Sequence, residues 1–316
     1  SLNQAEFLND LYEIKNMMLF FKKEVPEKLN FEILNMSSLL KVLMHTDNSL
    51  ALFNGANNFH NEQIYRLIKL EQDIKEKNFN NIDKGIAVYK DQNKKLFFDV
   101  VLPTNKIVNM NLHSGTLSFE FSCLNEKIIT NCGSIEKRIG KKPEYLRYSA
   151  AHSTIILNNT NIIELLEKKS YRRSPKNINF ESIENEDSFT WIASHDGYNK
   201  NFSKIIKRKL IIFKNKYNII GEDSIIPSKT IDKKISYSIR FHLMPECNCL
   251  ITNDKKSVII KTRLNQTWVF KSSAKLLIES SIYIGDGKIA KENKQIVITG
   301  TTDSRKKIEK WQLIKS

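Results

Sequence analysis

The stretch NMNLHSGTLSFEFSCLNEKIITNCG, residues 109–133, decides the fold. Apolar residues alternate through Leu117, Phe119 and Phe121, the period of a strand with one buried face. A turn over residues 124–127 returns the chain into Ile128 and Ile129, so the segment reads as a β-hairpin. His113 stands just before the first strand, and Asn131 and Cys132 close the second. A second stretch, RYSAAHSTIILNNTN at residues 147–161, answers it with a strand over 154–157 that His152 opens. Three groups able to bind a ligand or handle a proton thus collect at strand ends.

Working outward, short alternating segments recur from residue 85 to the end. They fall at 86–89, 95–101, 189–194, 205–213, 217–221, 236–243, 257–263, 267–271, 275–284, 295–299 and 308–313. Many strands separated by turns predict a mainly β fold, a large antiparallel β-sandwich. Residues 162–168 are the one place where a helix fits among them. Residues 170–187, with Arg172, Arg173, Pro175 and several asparagines, read as a long surface loop.

Upstream, the spacing is helical. Residues 2–24 carry Phe7, Leu8, Leu11, Ile14, Met17, Met18 and Phe21 on a helical period, and Pro26 interrupts it. Residues 27–45 repeat the pattern with Leu29, Ile33, Met36, Leu40 and Leu43, and a third helix is predicted over 61–75. Two helices joined by a short connection form an αα-hairpin, which cannot bury its apolar stripe alone. The chain starts at Ser1 inside the first helical pattern, so a preceding segment is expected, and no targeting signal can be read from this start.

With 316 residues, 41% of them hydrophobic, the chain can bury a sizeable core. The formal net charge of +15 points either to a lysine-rich proteome or to a polyanionic partner. The lysines are scattered, and no helix-turn-helix, zinc-finger or RNP pattern accompanies them, so nucleic acid is an unlikely partner. No apolar run is long enough for a membrane helix. Cys123, Cys132, Cys247 and Cys249 form no CxxC pair; ordinary core thiols are the simplest reading, with a Cys123–Cys132 bridge across the hairpin as the other.

Taken singly, each histidine has a plain structural explanation. His113 at a strand entrance, His152 among small residues, His195 in the turn HDGY and His242 on the strand RFHLMP could each be a hydrogen-bonded core residue.

Together, the ordered segments HSGTLSFEFS…NCG, RYSAAHSTIIL, SHDGY, RFHLMP and SIYIGDG resemble the carboxy-terminal region of the heparinase II/III-like family of bacterial proteins, similar to polysaccharide lyases. The resemblance implies a supersandwich-like β-domain over residues 81–316. It also implies that residues 1–80, with the turn LFNGA, are the last helices of an α/α-toroid. It implies β-elimination on a uronic-acid-containing polysaccharide, of glycosaminoglycan or alginate-like type, in the periplasm or cell envelope. Such chemistry needs a neutralised carboxylate, a base for the C5 proton and an acid for the leaving oxygen. On this likeness His113, His152 and Tyr148 are candidate catalytic residues; Asn111, Arg147, His195 and Tyr198 are candidate substrate contacts, and Tyr145 is a further candidate proton carrier.

The family also implies a zinc site of two histidines and an aspartate, which falls on His113, Asn131 and His152. Asn131 replaces the charged ligand, and a neutral set holds zinc less firmly. Asn111 and Met244 stand where relatives carry further histidines. His113 and His152 are therefore expected side by side at one end of the sandwich, near the αα-hairpin, with His195 and His242 structural. The other reading is a non-catalytic carbohydrate-binding or envelope protein that keeps the sandwich.

Overall fold

The computed structural model describes residues 2–70, 85–103, 111–136, 143–166, 170–230 and 233–316. Three helices come first: α1 (Leu2–Phe20), α2 (Glu27–Val42) and α3 (Asn61–Leu70). α1 ends where Lys22 takes a left-handed backbone, φ 52°, four residues before Pro26, so it stops short of the predicted 24. Residues 71–75 of the third predicted helix lie outside the described residues.

Two eight-stranded antiparallel sheets follow. The first has the order β1 (Ile86–Lys90), β2 (Lys94–Asp99), β3 (Phe119–Cys123), β4 (Glu126–Thr130), β12 (Ile235–Leu243), β17 (Lys291–Thr302) and β16 (Leu276–Tyr283), with β5 (Ile155–Leu157) also pairing β12. The second runs β13 (Asn248–Ile251), β14 (Ser257–Lys261), β15 (Thr267–Ser272), β18 (Lys307–Lys315), β11 (Asn218–Pro227), β10 (Lys204–Phe213), β9 (Ser188–His195) and β8 (Ile178–Glu184). The predicted hairpin is β3–β4, closed by a two-residue turn in which Leu124 and Asn125 both have positive φ, 49° and 63°. That conformation matches the strand twist.

The sandwich core is aromatic at its centre. Phe119 stacks on Trp311 at 5.5 Å, and Phe241 meets the same indole edge-on at 4.8 Å. Gly221 faces Trp311 across β11–β18, and a Cβ there would stand 2.1 Å from the ring. Only glycine leaves room for that indole.

Two expectations are corrected. Residues 164–166 form β6 (Glu164–Leu166), which pairs β7 (Ser170–Arg173), so the segment read as a possible helix is a strand; residues 167–168 lie outside the described set. Most of the predicted 170–187 loop is β7 and β8. β8 is a sheet edge with one face in solvent, and its Ile178 and Phe180 alternate with Asn179 and Glu181, a polar edge that hides strand character. The cysteines follow the simplest reading and not the bridged alternative: all four are free, Cys123 in the sandwich core and Cys132 in a separate cluster.

The helices lie on the outer face of the first sheet through a polar seam. Glu120 is fully buried there and accepts from His45 Nε2 at 2.9 Å, Leu52 N at 3.0 Å, Asn131 N at 2.8 Å and Thr130 Oγ1 at 3.1 Å. Lys127 Nζ lies 3.4 Å from the same carboxylate. Burial alone would raise the Glu120 pKa, but Lys127 and His45 more than reverse it and hold it at about 2. Glu120 is thus an ionised hub between the layers.

Candidate functional site

The loop entering β3 and the two 3-10 turns Glu144–Arg147 and Ser149–Ala151 meet at one end of the first sheet. Backbone and serine hydroxyls stitch them together. Ser114 N donates to Arg147 O at 2.8 Å, Ser149 Oγ donates to Ser114 O at 2.7 Å, and Ser149 N donates to Asn161 Oδ1 at 2.9 Å. This brings His113 Nδ1 to 3.3 Å from His152 Nε2, with the two rings edge to face. Both are buried, at 5% and 2% exposure. Gly115 permits the approach, because a Cβ there would lie 2.7 Å from the His152 ring. On the helical side, His113 N donates to Asn54 Oδ1 at 3.0 Å, so the pair borders the turn after α2.

The partners fix the tautomers. His152 Nδ1 faces the Tyr148 carbonyl at 2.8 Å, and a carbonyl only accepts, so Nδ1 carries the proton and Nε2 the lone pair. His113 Nδ1 must then donate to His152 Nε2, which leaves Nε2 of His113 as its basic nitrogen. Burial pushes His152 down to about 4, and the hydrogen bond to Tyr148 does not restore it. The arrangement is a carbonyl–imidazole–imidazole relay that runs from Tyr148 O through His152 to the His113 ring.

The spacing of the two nitrogens would suit zinc, but the donor set does not. Asn131 Oδ1 accepts from Ser153 N at 2.9 Å, and its Nδ2 approaches Leu52 O at 3.5 Å, so the amide crosslinks β4 to two backbone segments. Two imidazoles and a committed amide lack the negative charge of a His₂-carboxylate site. Among the described residues, no three His, Cys, Asp or Glu side chains come together as a metal site.

Asn111 is exposed, one residue from the pair's buried Leu112. Arg147 is only 7% exposed; its Nε donates to Leu112 O at 3.3 Å and its Nη1 to Glu144 at 3.0 Å, while Nη2 is buried without a hydrogen-bond partner among the described residues. Tyr148 and Tyr145 are 41% and 48% exposed on the same turn. His195 and Tyr198, by contrast, are not placed to touch a substrate. Tyr198 is fully buried and donates to Thr160 O at 2.8 Å, and His195 Nδ1 accepts from Gly197 N at 3.1 Å inside the sandwich. The HDGY turn folds inward onto β10 because its aromatic ring belongs to the core.

His242 is buried behind the site. Its Nε2 donates to Ala150 O at 3.0 Å, and its Nδ1 accepts from Ser281 Oγ at 2.8 Å. It therefore braces the turn that carries His152. His242→Ala is expected to cost about 1–3 kcal/mol, since Ala150 O and Ser281 are left unpaired in the interior. Urea unfolding, run beside glycan binding, checks it; lost binding at unchanged stability would contradict the bracing role.

Sequence reasoning missed the groups that hold this end together. Arg208 on β10 is fully buried, pairs with Asp223 through Nε at 2.6 Å and Nη2 at 3.0 Å, and donates from Nη1 to Leu117 O at 2.8 Å and Ser153 O at 2.7 Å. Those two carbonyls lie on the segments that carry His113 and His152. The missed signal was an opposite charge, Asp223, on the neighbouring strand of the Lys-rich run KIIKRKL.

The family described as Heparinase II/III-like, C-terminal matches residues 77–312. Among solved structures, the heparan sulfate lyase HepC from Pedobacter heparinus is similar with a TM-score of 0.73 at 12% identity, over 99% of this chain and 51% of that one. A heparinase III structure gives 0.70 at 10% identity, over 99% and 53%. At such identities the likeness concerns the fold. The curated FtsZ-localized protein C of Caulobacter vibrioides (strain NA1000 / CB15N) is 24% identical over 311 residues, 93% of this chain and 53% of the relative. The chain spans about half the length of these relatives. Since the family match runs unbroken through both sheets and takes in the His113–His152 end, this chain belongs to the heparinase II/III-like family as its carboxy-terminal region.

Proposed function

We propose that this chain is the sandwich part of a polysaccharide lyase-like protein that acts on an acidic, uronate-containing polysaccharide, with residues 1–80 closing an α/α-toroid that supplies the rest of the site. The observation that carries the reading is the hydrogen-bonded relay, Tyr148 O to His152 to His113, which orients the His113 ring through its Nδ1. In β-elimination a base removes the C5 proton, the electron pair forms the C4–C5 double bond, and the glycosidic oxygen leaves with a proton from an acid. His113 would take or relay the proton, and His152 Nε2 would stabilise the charged ring by accepting from its Nδ1, as an orienting group does in other catalytic relays. The Tyr148 phenol, exposed on the adjoining turn, is the acid available from this side, and Asn111 lies within the same loop. Arg147, with its unpaired Nη2, is the cation beside the site for a uronate carboxylate. Action on such a polymer goes with a place in the periplasm or cell envelope. Among the described residues no helix is long and apolar enough to cross a membrane.

A second reading is favoured by Asn131, which stands in the aspartate position of the family's metal set, and by similarity to a protein named for its localisation to FtsZ. On that reading the sandwich binds a carbohydrate or partner without elimination.

The test uses the product of the complete reading frame with a panel of glycosaminoglycans and alginate, following the ultraviolet absorbance of the new double bond. A rise is expected that falls at least about a hundredfold in His113→Ala and His152→Ala. A folded protein that binds an acidic glycan but gives no rise on any polymer would replace this reading with the second.

A further inference from the structure

A cavity of about 260 Å³ opens on the seam between the helical layer and the first sheet. Its walls come from the turn after α2, from the β3–β4 turn, from the turns after β12 and β14, and from the motif SIYIGDG, which the candidate site does not use. Tyr283 is its most enclosed aromatic wall at 6% exposure, and its hydroxyl has no hydrogen-bond partner among the described residues. Two further lining groups are half engaged. Asp47 Oδ1 accepts from Ser49 N at 2.9 Å and Ser49 Oγ at 2.6 Å, so Oδ2 remains as an acceptor. Asn58 Oδ1 accepts from Leu50 N at 2.6 Å, so Nδ2 remains as a donor.

The inner charges that line the cavity are spent within the protein, and Arg263 and Glu246 stand exposed at its rim. Lys291 pairs with Asp286 at 3.2 Å and Lys127 with Glu120 at 3.4 Å. Glu126 accepts from Thr262 Oγ1 at 2.5 Å and from Leu264 N at 2.8 Å. An anion would meet the carboxylates of Asp47, Glu126, Glu246 and Asp286, with no buried cation outside an ion pair among the described lining residues and only the exposed Arg263 at the rim, while a cation would meet the Asn58 amide and Tyr283 hydroxyl donors. What matches a phenol donor, an amide donor and a carboxylate acceptor in one small polar cavity is a set of neighbouring hydroxyls, each able to donate and accept at once.

We propose that this cavity is a second saccharide subsite, which takes an uncharged pyranose unit through Tyr283, Asn58 and Asp47. It lies apart from the His113–His152 pair and does not require elimination, so it would anchor a glycan under either functional reading.

Saturation-transfer NMR on the whole chain, with methyl β-galactopyranoside, N-acetylglucosamine, glucuronate and inorganic phosphate as separate probes, tests it. An uncharged pyranoside is expected to bind, and Tyr283→Phe is expected to weaken that binding about three- to tenfold, the worth of one hydrogen bond, with an unchanged melting temperature. Asp47→Asn should weaken it similarly, while His113→Ala leaves it intact and so separates this subsite from the elimination chemistry. No transfer to either uncharged pyranoside, equal binding in Tyr283→Phe and Asp47→Asn, or stronger binding of phosphate or glucuronate would each overturn the subsite.

Discussion

Asp223→Ala is expected to cost about 3–5 kcal/mol, a large fraction of the stability of a domain this size. Arg208 and Asp223 are both fully shielded from water. The carboxylate takes two hydrogen bonds from the guanidinium and a third from Trp311 Nε1 at 2.9 Å, so its removal strands a buried cation and an indole N–H together. The pair itself need not be favourable relative to an apolar replacement, because both charges had to be dehydrated. The double variant Arg208→Met, Asp223→Ala should therefore recover part of the loss, whereas the single variants are non-additive. Because Arg208 also holds Leu117 O and Ser153 O, the single Asp223 variant should also loosen the histidine pair. Urea unfolding of the three variants measures the cycle, and a cost under about 1 kcal/mol for Asp223→Ala would remove Arg208 from its organising role.

The second large effect is acid unfolding. Burial holds His45 and His152 down to about 4, and His195 and His242 down to about 3, from an ordinary value near 6.5. For His45 the nearby Lys127 adds to burial, and the hydrogen bond to Glu120 opposes it. Each folded value lies below the unfolded one, so between about pH 6.5 and 4 the unfolded chain takes up protons that the folded chain refuses. Stability from these groups is complete above that window and falls as pH falls through it. Asp99 works the other way: burial lifts it to about 7, so acidification from there toward 3.8 favours the folded state by one proton. Four histidines against one aspartate leave a net uptake of three protons on unfolding, or about 4 kcal/mol of stability lost per pH unit in the middle of the window. Urea titrations from pH 7 to pH 5 should show this slope, with acid unfolding above pH 4. A flat profile over that range would mean that these imidazoles are solvated or charged in the folded protein.

Much of the fold was legible because a sandwich strand advertises itself through alternation. The strands that were misjudged depart from alternation for local reasons. Leu117 has φ 59°, which turns residues 115–118 back on themselves and delays β3 to Phe119. β6 is three residues long, and β8 is an edge. The juxtaposition of His113 and His152 came from ordered motifs, not from either histidine alone. What stayed hidden was the buried charge. Glu120, Lys127, Lys95 and Arg208 occupy alternate positions that look like solvent-facing strand residues. Their outer face is in fact covered, by helices in one case and by the opposite sheet in the other, and alternation reports only that a position faces away from its neighbours. The inward placement of Tyr198 was unreadable for a related reason: a turn rich in Asp and Gly predicts its own backbone, not which side of the sheet its aromatic residue joins.

The seam between the layers has a consequence for how this protein can change over evolutionary time. The sandwich side presents side chains: Lys95 Nζ to Met44 O at 2.6 Å, Lys127 Nζ to Leu50 O at 3.0 Å and Glu120 to Leu52 N at 3.0 Å. The helical side answers mostly with main chain, the side chains of His45, Asn54 and Asn57 being exceptions. A main-chain oxygen survives most substitutions, whereas a lysine or glutamate does not. Apart from His45, residues 41–52 can therefore drift in sequence while still docking, and the burden of keeping the two layers together falls mainly on a few charged positions of the sheet.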